Sequence, residues 1–221
     1  SPGGPRIIIV PRLADFGGAT DPGSELREAA SAANARVFIL RSGRYFGPTV
    51  RNWLIDGVCR AALEWRSIRV PGDLQARYPW TYAPDAARVA TELLEHTGDP
   101  GAAGTLEPVT TIDVTSGECP TQETFLTQMG AMAIRLTGPI SAADAAPLPE
   151  TKPIVGVLPW WRVRLAGFSH ADAKAVLANR EVWTRNSVLD SASLKTVLPS
   201  MELTPLESAC RTTLTSYRDG S

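Results

Sequence analysis

The chain has 221 residues, 43% hydrophobic and 20% charged, with a formal net charge of -1. That length suits one large domain, or a domain with a small appended lobe, around a substantial core. A pI near 6.1 leaves no overall electrostatic footprint for nucleic acid or an anionic membrane. Cys59, Cys119 and Cys210 lie far apart, with no CxxC and no adjacent histidine, so neither a metal site nor a disulfide framework is indicated. No apolar run approaches the roughly 20 residues of a bilayer span, and the opening SPGGPR lacks the apolar segment of a secretory signal. A cytoplasmic or organelle-matrix location is expected by elimination.

The elements alternate. RIIIV, bounded by prolines, has the β-branched continuity of a fully buried parallel strand. In DPGSELREAASAANA, Ser24 can cap a helix with Leu26, Ala29, Ala30 and Ala33 on its apolar face, and Asn34 can end it. VFILR at 37–41 is a second buried strand. TVRNWLIDGVCRAALEW then sets Val50, Trp53, Leu54, Val58, Ala61 and Trp65 at helical spacing, which puts both tryptophans in the core. Residues 67–84 read as a short strand and loop, and DAARVATELLEH as a helix capped by Asp85 with Val89, Leu93 and Leu94 inward and His96 in its last turn.

GDPGAAGTLEP is a surface loop by composition, and the stretch from Thr110 to Leu136 reads as strand, turn and helix, with Thr121 as cap and Phe125, Leu126, Met129 and Leu136 inward. Residues 138–153, rich in Pro, Ala and Gly, form the linker or mobile loop. In IVGVLPWWRVRLAGF, Trp160 and Trp161 suit packing on the core or an interface. Ser169 suits a cap for the helix after it, and Ser169, His170 and Asp172 are too close in sequence to be a triad, whose members converge from separate elements. TPLESACRTTLTSYRD closes the chain as an amphipathic helix with Pro205 near its start.

VFILRSGRYFGP, an amphipathic helix, PGDLQARYPWTYAPDAARVATELLEH, IDVTSGECPTQETF and TPLESACRTTLTSYRD, in that order over roughly residues 6–219, resemble the C-terminal portion of extended and atypical short-chain dehydrogenase/reductases, the NAD-dependent epimerase/dehydratase group. The resemblance implies an α/β fold: a partial Rossmann-like parallel sheet with helices, plus a small C-terminal substrate-type lobe. Its expected division is a Rossmann-like remnant over 1–137 with interleaved substrate-lobe segments, the linker at 138–153, and a helical lobe over 154–221. It implies NAD or NADP as cofactor, with Ser42, Gly43 and Arg44 near the nicotinamide, and a small polar substrate, sugar- or phosphate-bearing, met by Arg12, Tyr45, Phe46 and Arg77. The planar fork of Arg77 would suit a phosphate or carboxylate.

Three departures accompany the resemblance. No GxGxxG is present, although GGATDPGSELREA at 17–29 places glycines before a helix. PRLADFG stands where the family carries Ser-Ser-x-x-x-Tyr-Gly, and no Tyr-x-x-x-Lys follows within residues 17–35, the pair that exchanges a proton during hydride transfer. Three functions therefore stay open: the substrate-binding half of an NAD(P)-dependent epimerase, dehydratase or reductase; a non-catalytic accessory subunit of a larger complex; and a cofactor-independent acid–base or cyclisation enzyme using Arg12, Asp15, Tyr45 and Arg77. A reduced sheet has open edges, so a partner chain, a homo-oligomer or further residues are expected to complete it.

Overall fold

The computed structural model describes residues 6–13, 24–96, 107–115, 119–138 and 153–220. The fold divides into two compact units that interleave along the chain: Ser1–Tyr45, Pro79–Glu118 and Leu189–Thr204 in the first, and Phe46–Tyr78, Cys119–Val188 and Pro205–Ser221 in the second.

The first unit is built on β1 (Arg6–Leu13), β2 (Ala35–Ser42) and β6 (Val109–Val114), all parallel in the order β1-β2-β6, with Arg12 opposite Arg41 and Arg41 opposite Asp113. Alternation along β2 divides its side chains between two apolar clusters. Val37 and Ile39 join Val109 and Ala30 of α1 (Ser24–Ala32). Phe38 and Leu40 join Ile112 and Val114, with Val89 and Leu93 of α3 (Ala83–His96) and Leu194 and Val197 of α7 (Ala192–Val197). Helices on both faces of a parallel sheet are the Rossmann-like arrangement the sequence predicts. β1 departs from its expected burial: Ile8 and Val10 are 46% and 40% exposed.

Helix α3 starts at Ala83, so Asp85 lies in the first turn and not at the cap. Its carboxylate, 2% exposed, accepts from Thr204 N–H (2.8 Å), Thr204 Oγ1 (2.7 Å) and Arg88 (2.6 Å). These bonds tie a segment 119 residues downstream to the helix start, where negative charge is also favoured by the dipole. Leu94, expected inward, is 49% exposed.

In the second unit, α2 (Trp53–Leu63), α4 (Gln122–Thr137) and α8 (Leu206–Asp219) pack together, and β4 (Ile68–Val70) pairs in parallel with β7 (Val155–Val157). Asn52 caps α2 by accepting from Ile55 N–H, and Thr121 caps α4 as predicted. Trp65 departs from its expected core position: it lies beyond the end of α2 at φ 54°, 52% exposed, its indole N–H donating to Thr137 Oγ1 (2.7 Å). Ser169 lies between α5 (Trp160–Ala166) and α6 (Ala171–Ala178) and does not cap the latter. His170 occupies the cap position without a side-chain bond, and the Ser169 hydroxyl donates back to Ala166 O. Most of the expected loop at 98–108 (residues 98–106), most of the expected linker at 138–153 (residues 139–152) and the glycines at 17–18 fall outside the described residues.

Candidate functional site at the strand ends

The carboxyl ends of parallel strands are where open α/β sheets bind ligands. Here β2 delivers Arg41 and Ser42 to that end, β6 delivers Asp113 and Val114, and β1 ends in Arg12 and Leu13. Arg41 and Asp113, opposite in the register, form a two-pronged ion pair: Nε to Oδ1 and Nη2 to Oδ2, both 2.6 Å. The carboxylate holds the guanidinium pKa above its ordinary value. Asp113 N–H donates to Ser193 Oγ (2.9 Å) just inside α7.

An open hollow of about 310 Å³ is lined by Arg41, Thr111, Asp113, Asp190, Ala192 and Ser193. Two carboxylates, two hydroxyls and one guanidinium suit it to a ligand rich in hydroxyl groups, because such ligands both donate and accept. Asp190 already accepts from Ala192 N–H (2.9 Å) through Oδ1.

Beyond β2 the chain turns tightly into β3 (Arg44–Phe46), which pairs with β5 (Trp80–Tyr82). The turn is fixed by three bonds: Gly43 N–H to Thr81 Oγ1 (2.9 Å), the Thr81 hydroxyl to Val114 O (2.7 Å), and Arg44 N–H to Pro79 O (2.9 Å). A Cβ at Gly43 would collide with the Pro79 carbonyl and stand 2.8 Å from Pro79 Cβ, so close backbone approach requires glycine there. The Arg44 guanidinium lies 5.8 Å from the Trp80 ring centroid, within cation–π range. Ser42 is fully buried and its Oγ accepts from the half-buried Tyr45 hydroxyl (2.7 Å).

Of the residues predicted to serve a site, Ser42, Gly43, Arg44 and Tyr45 are thus gathered in one hydrogen-bonded turn of the first unit, and Arg12 occupies the neighbouring register position on β1. Phe46 and Arg77 belong to the second unit. Phe46 is fully buried, edge-to-face with Phe125 at 5.2 Å. Arg77 is exposed, its N–H donating to Asn186 Oδ1 and its carbonyl accepting from Ser187 N–H. Sequence reasoning missed Asp113, Thr81 and Ser193. Asp113 and Thr81 lie inside the quoted motifs IDVTSGE and YPWTYAP, but their roles arise from cross-strand register. Among the described residues no group of three His, Cys, Asp or Glu side chains is placed to hold a metal ion.

The fold and strand-end site define the class: a partial Rossmann-like α/β protein. The model of the NAD dependent epimerase/dehydratase family matches residues 23–104, so the resemblance read from the sequence stands. No curated protein matches the chain. Among solved structures, MoeE5 in complex with UDP-glucose and NAD aligns with a TM-score of 0.59 and 16% identity, over 98% of this chain and 66% of that one. The UDP-N-acetylglucosamine 4-epimerase of Methanobrevibacter ruminantium, in complex with UDP-N-acetylmuramic acid, aligns at 0.61 and 14%, over 98% and 64%. The human epimerase family protein SDR39U1 with NADPH aligns at 0.61 and 13%, over 97% and 67%. The chain spans about two thirds of the length of these proteins, and at such identity the likeness establishes the fold.

Proposed function

We propose that this protein is an NAD(P)-dependent epimerase, dehydratase or reductase of the short-chain dehydrogenase type, acting on a small polar substrate that bears a sugar or phosphate. The observation that carries the reading is the fixed turn from Ser42 to Tyr45 at the carboxyl ends of three parallel strands, the end at which such sheets bind nucleotides. MoeE5 with UDP-glucose and NAD, and the Bacillus anthracis dTDP-glucose 4,6-dehydratase with NAD, share that fold.

A dinucleotide bound at this end of the sheet would bring its nicotinamide to the turn. Ser42, Gly43 and Arg44 would lie along it, and Arg12 and Tyr45 would face the substrate. When bound, the nicotinamide supplies hydride acceptance and return. The chain's own part is orientation: Thr81 and Pro79 hold the turn, Ser42 fixes the Tyr45 phenol, and Arg44 supplies positive charge beside Trp80. Arg77 is the proposed phosphate or carboxylate contact, and Phe46 acts through packing on Phe125.

Calorimetric titration of the protein with NAD, NADP and UDP-glucose tests the reading. Binding of a dinucleotide that weakens at least fivefold in Arg44→Met, and of the nucleotide sugar that weakens in Tyr45→Phe, is the expected result. Failure of every one of these ligands to bind the intact protein would overturn it.

A further inference from the structure

The two faces of the parallel sheet end differently. On the face covered by α1, the apolar series of Val37, Ile39 and Val109 gives way, at the same alternation, to Arg41, Thr111 and Asp113. Ser42, where the turn begins, continues the other series of Phe38 and Leu40. The hollow of about 310 Å³ that these three polar residues share with Asp190, Ala192 and Ser193 therefore belongs to the Arg41 face, at the rim where α7 begins. All of its lining lies in the first unit.

The walls of the hollow are held in place, yet their hydrogen-bonding capacity is not used up. Asp113, 6% exposed, is fixed twice: its carboxylate takes both prongs of Arg41 at 2.6 Å, and its N–H donates to Ser193 Oγ at 2.9 Å. Those prongs engage Nε and Nη2 of Arg41 and leave Nη1. Ser193 accepts from Asp113 and keeps its own hydroxyl hydrogen to donate. Asp190 uses Oδ1 for Ala192 N–H and leaves Oδ2 as an acceptor. Thr111, half-buried on β6, adds a second hydroxyl.

This mixture selects among ligands by charge. An anion would gain Arg41 but meet the carboxylates of Asp113 and Asp190, and an organic cation would meet Arg41. Metal binding has no support either, since among the described residues no three acidic, histidine or cysteine side chains are grouped to hold an ion. Neutral hydroxyl groups both donate and accept, so adjacent hydroxyls can use the guanidinium, the two side-chain hydroxyls and the free carboxylate oxygen together. The volume stands at the lower end of the roughly 300–1,000 Å³ of small-ligand pockets, which suits a single sugar ring. Groups already fixed by Asp113 cost little further ordering on binding.

We propose that this hollow is a binding site for a neutral monosaccharide or cyclic polyol, whose hydroxyls accept from Arg41 and Ser193, donate to Asp190 and pair with Thr111. The site does not rest on the dehydrogenase reading, whose turn begins at Ser42 on the opposite face.

The test is saturation-transfer difference NMR of the intact protein with D-glucose, D-galactose, D-mannose and myo-inositol. At least one should give a saturable signal that sodium phosphate does not displace. Thr111→Val removes one hydroxyl at nearly constant shape, and Asp190→Asn turns one acceptor into a donor while its Oδ1 can still receive Ala192 N–H. Each should weaken binding by about fivefold or more, the effect of one lost hydrogen bond. The thermal midpoint and dinucleotide titration of both variants should stay near the parent values. No saturable signal from any of the four, or binding unaltered in both variants, would overturn the proposal. Displacement of the sugar by phosphate would overturn it too, by making the hollow an anion site. A sugar signal lost in Tyr45→Phe and kept in both hollow variants would assign the sugar to the turn instead and equally overturn it.

Discussion

Replacing Gly43 by alanine tests whether the strand-end turn is held by packing. Gly43 is not among the residues with positive φ, so alanine has no conformational penalty there and the effect is steric. The added methyl would collide with the Pro79 carbonyl, and relief requires parting Pro79 from residues 43 and 44. That movement strains or breaks Gly43 N–H to Thr81 Oγ1 and Arg44 N–H to Pro79 O, both 2.9 Å. Two hydrogen bonds at about 1 kcal/mol each, plus about 1–3 kcal/mol for overpacking, give a loss of about 3–5 kcal/mol. For a chain of this size that lowers Tm by roughly 6–20 °C. Gly57→Ala is the matched control: Gly57 sits exposed in α2 with nothing within 4 Å of an added Cβ, so alanine should stabilise by about 0.5–1 kcal/mol through helix propensity. Urea denaturation of both variants reads the difference. A Gly43→Ala loss below about 1 kcal/mol would refute the close-packing argument.

The Arg41–Asp113 pair should show a coupling of about 2 kcal/mol in a double-mutant cycle of Arg41→Met and Asp113→Asn, because the carboxylate is nearly buried and the geometry two-pronged; coupling below about 0.5 kcal/mol would reduce it to a surface contact. Asp85→Ala should cost about 2–4 kcal/mol by leaving Thr204 and Arg88 without their shared acceptor, and a near-neutral result would show that the downstream segment does not depend on it. Burial pushes Cys59 and Cys210 up to about 12, and burial with the Asp56 hydrogen bond raises Tyr217 further still. These groups keep their protons in the folded state at pH values where the unfolded chain, ionising near about 8.5 for thiols and 10 for the phenol, has released them. Their stabilisation is therefore complete below about pH 8 and declines as pH rises towards 12; denaturation midpoints that hold constant from pH 8 to 11 would contradict this. Iodoacetamide at pH 8 should leave Cys59 and Cys210 unmodified in the native protein and alkylate both in urea, since the thiolate is the nucleophile.

What was legible in the sequence was local. The β-branched runs of β1 and β2, the spacing of Val89 and Leu93 and the Thr121 cap each express a short-range rule of period or capping. The family resemblance placed those pieces in order, and the strand-end cluster from Ser42 to Tyr45 followed from it. Long-range partners were not legible. Nothing in IDVTSGE says that Asp113 meets Arg41 across 72 residues, or that Asp85 serves Thr204 and not a helix end. Trp65 fitted a helical period but lies past the point where α2 stops, because Trp65 itself turns into positive φ.

The sequence by itself determined the alternation of strands and helices and the residues at the strand mouth, since both depend on interactions within a few positions. Tertiary structure alone decided that Ile8 and Val10 of β1 are left exposed, and which unit each segment joined. It also turned Val163 inward and left Trp161, Leu165 and Phe168 in solvent. Hydrophobic periodicity marks apolar residues, but the neighbouring elements determine which of them are covered.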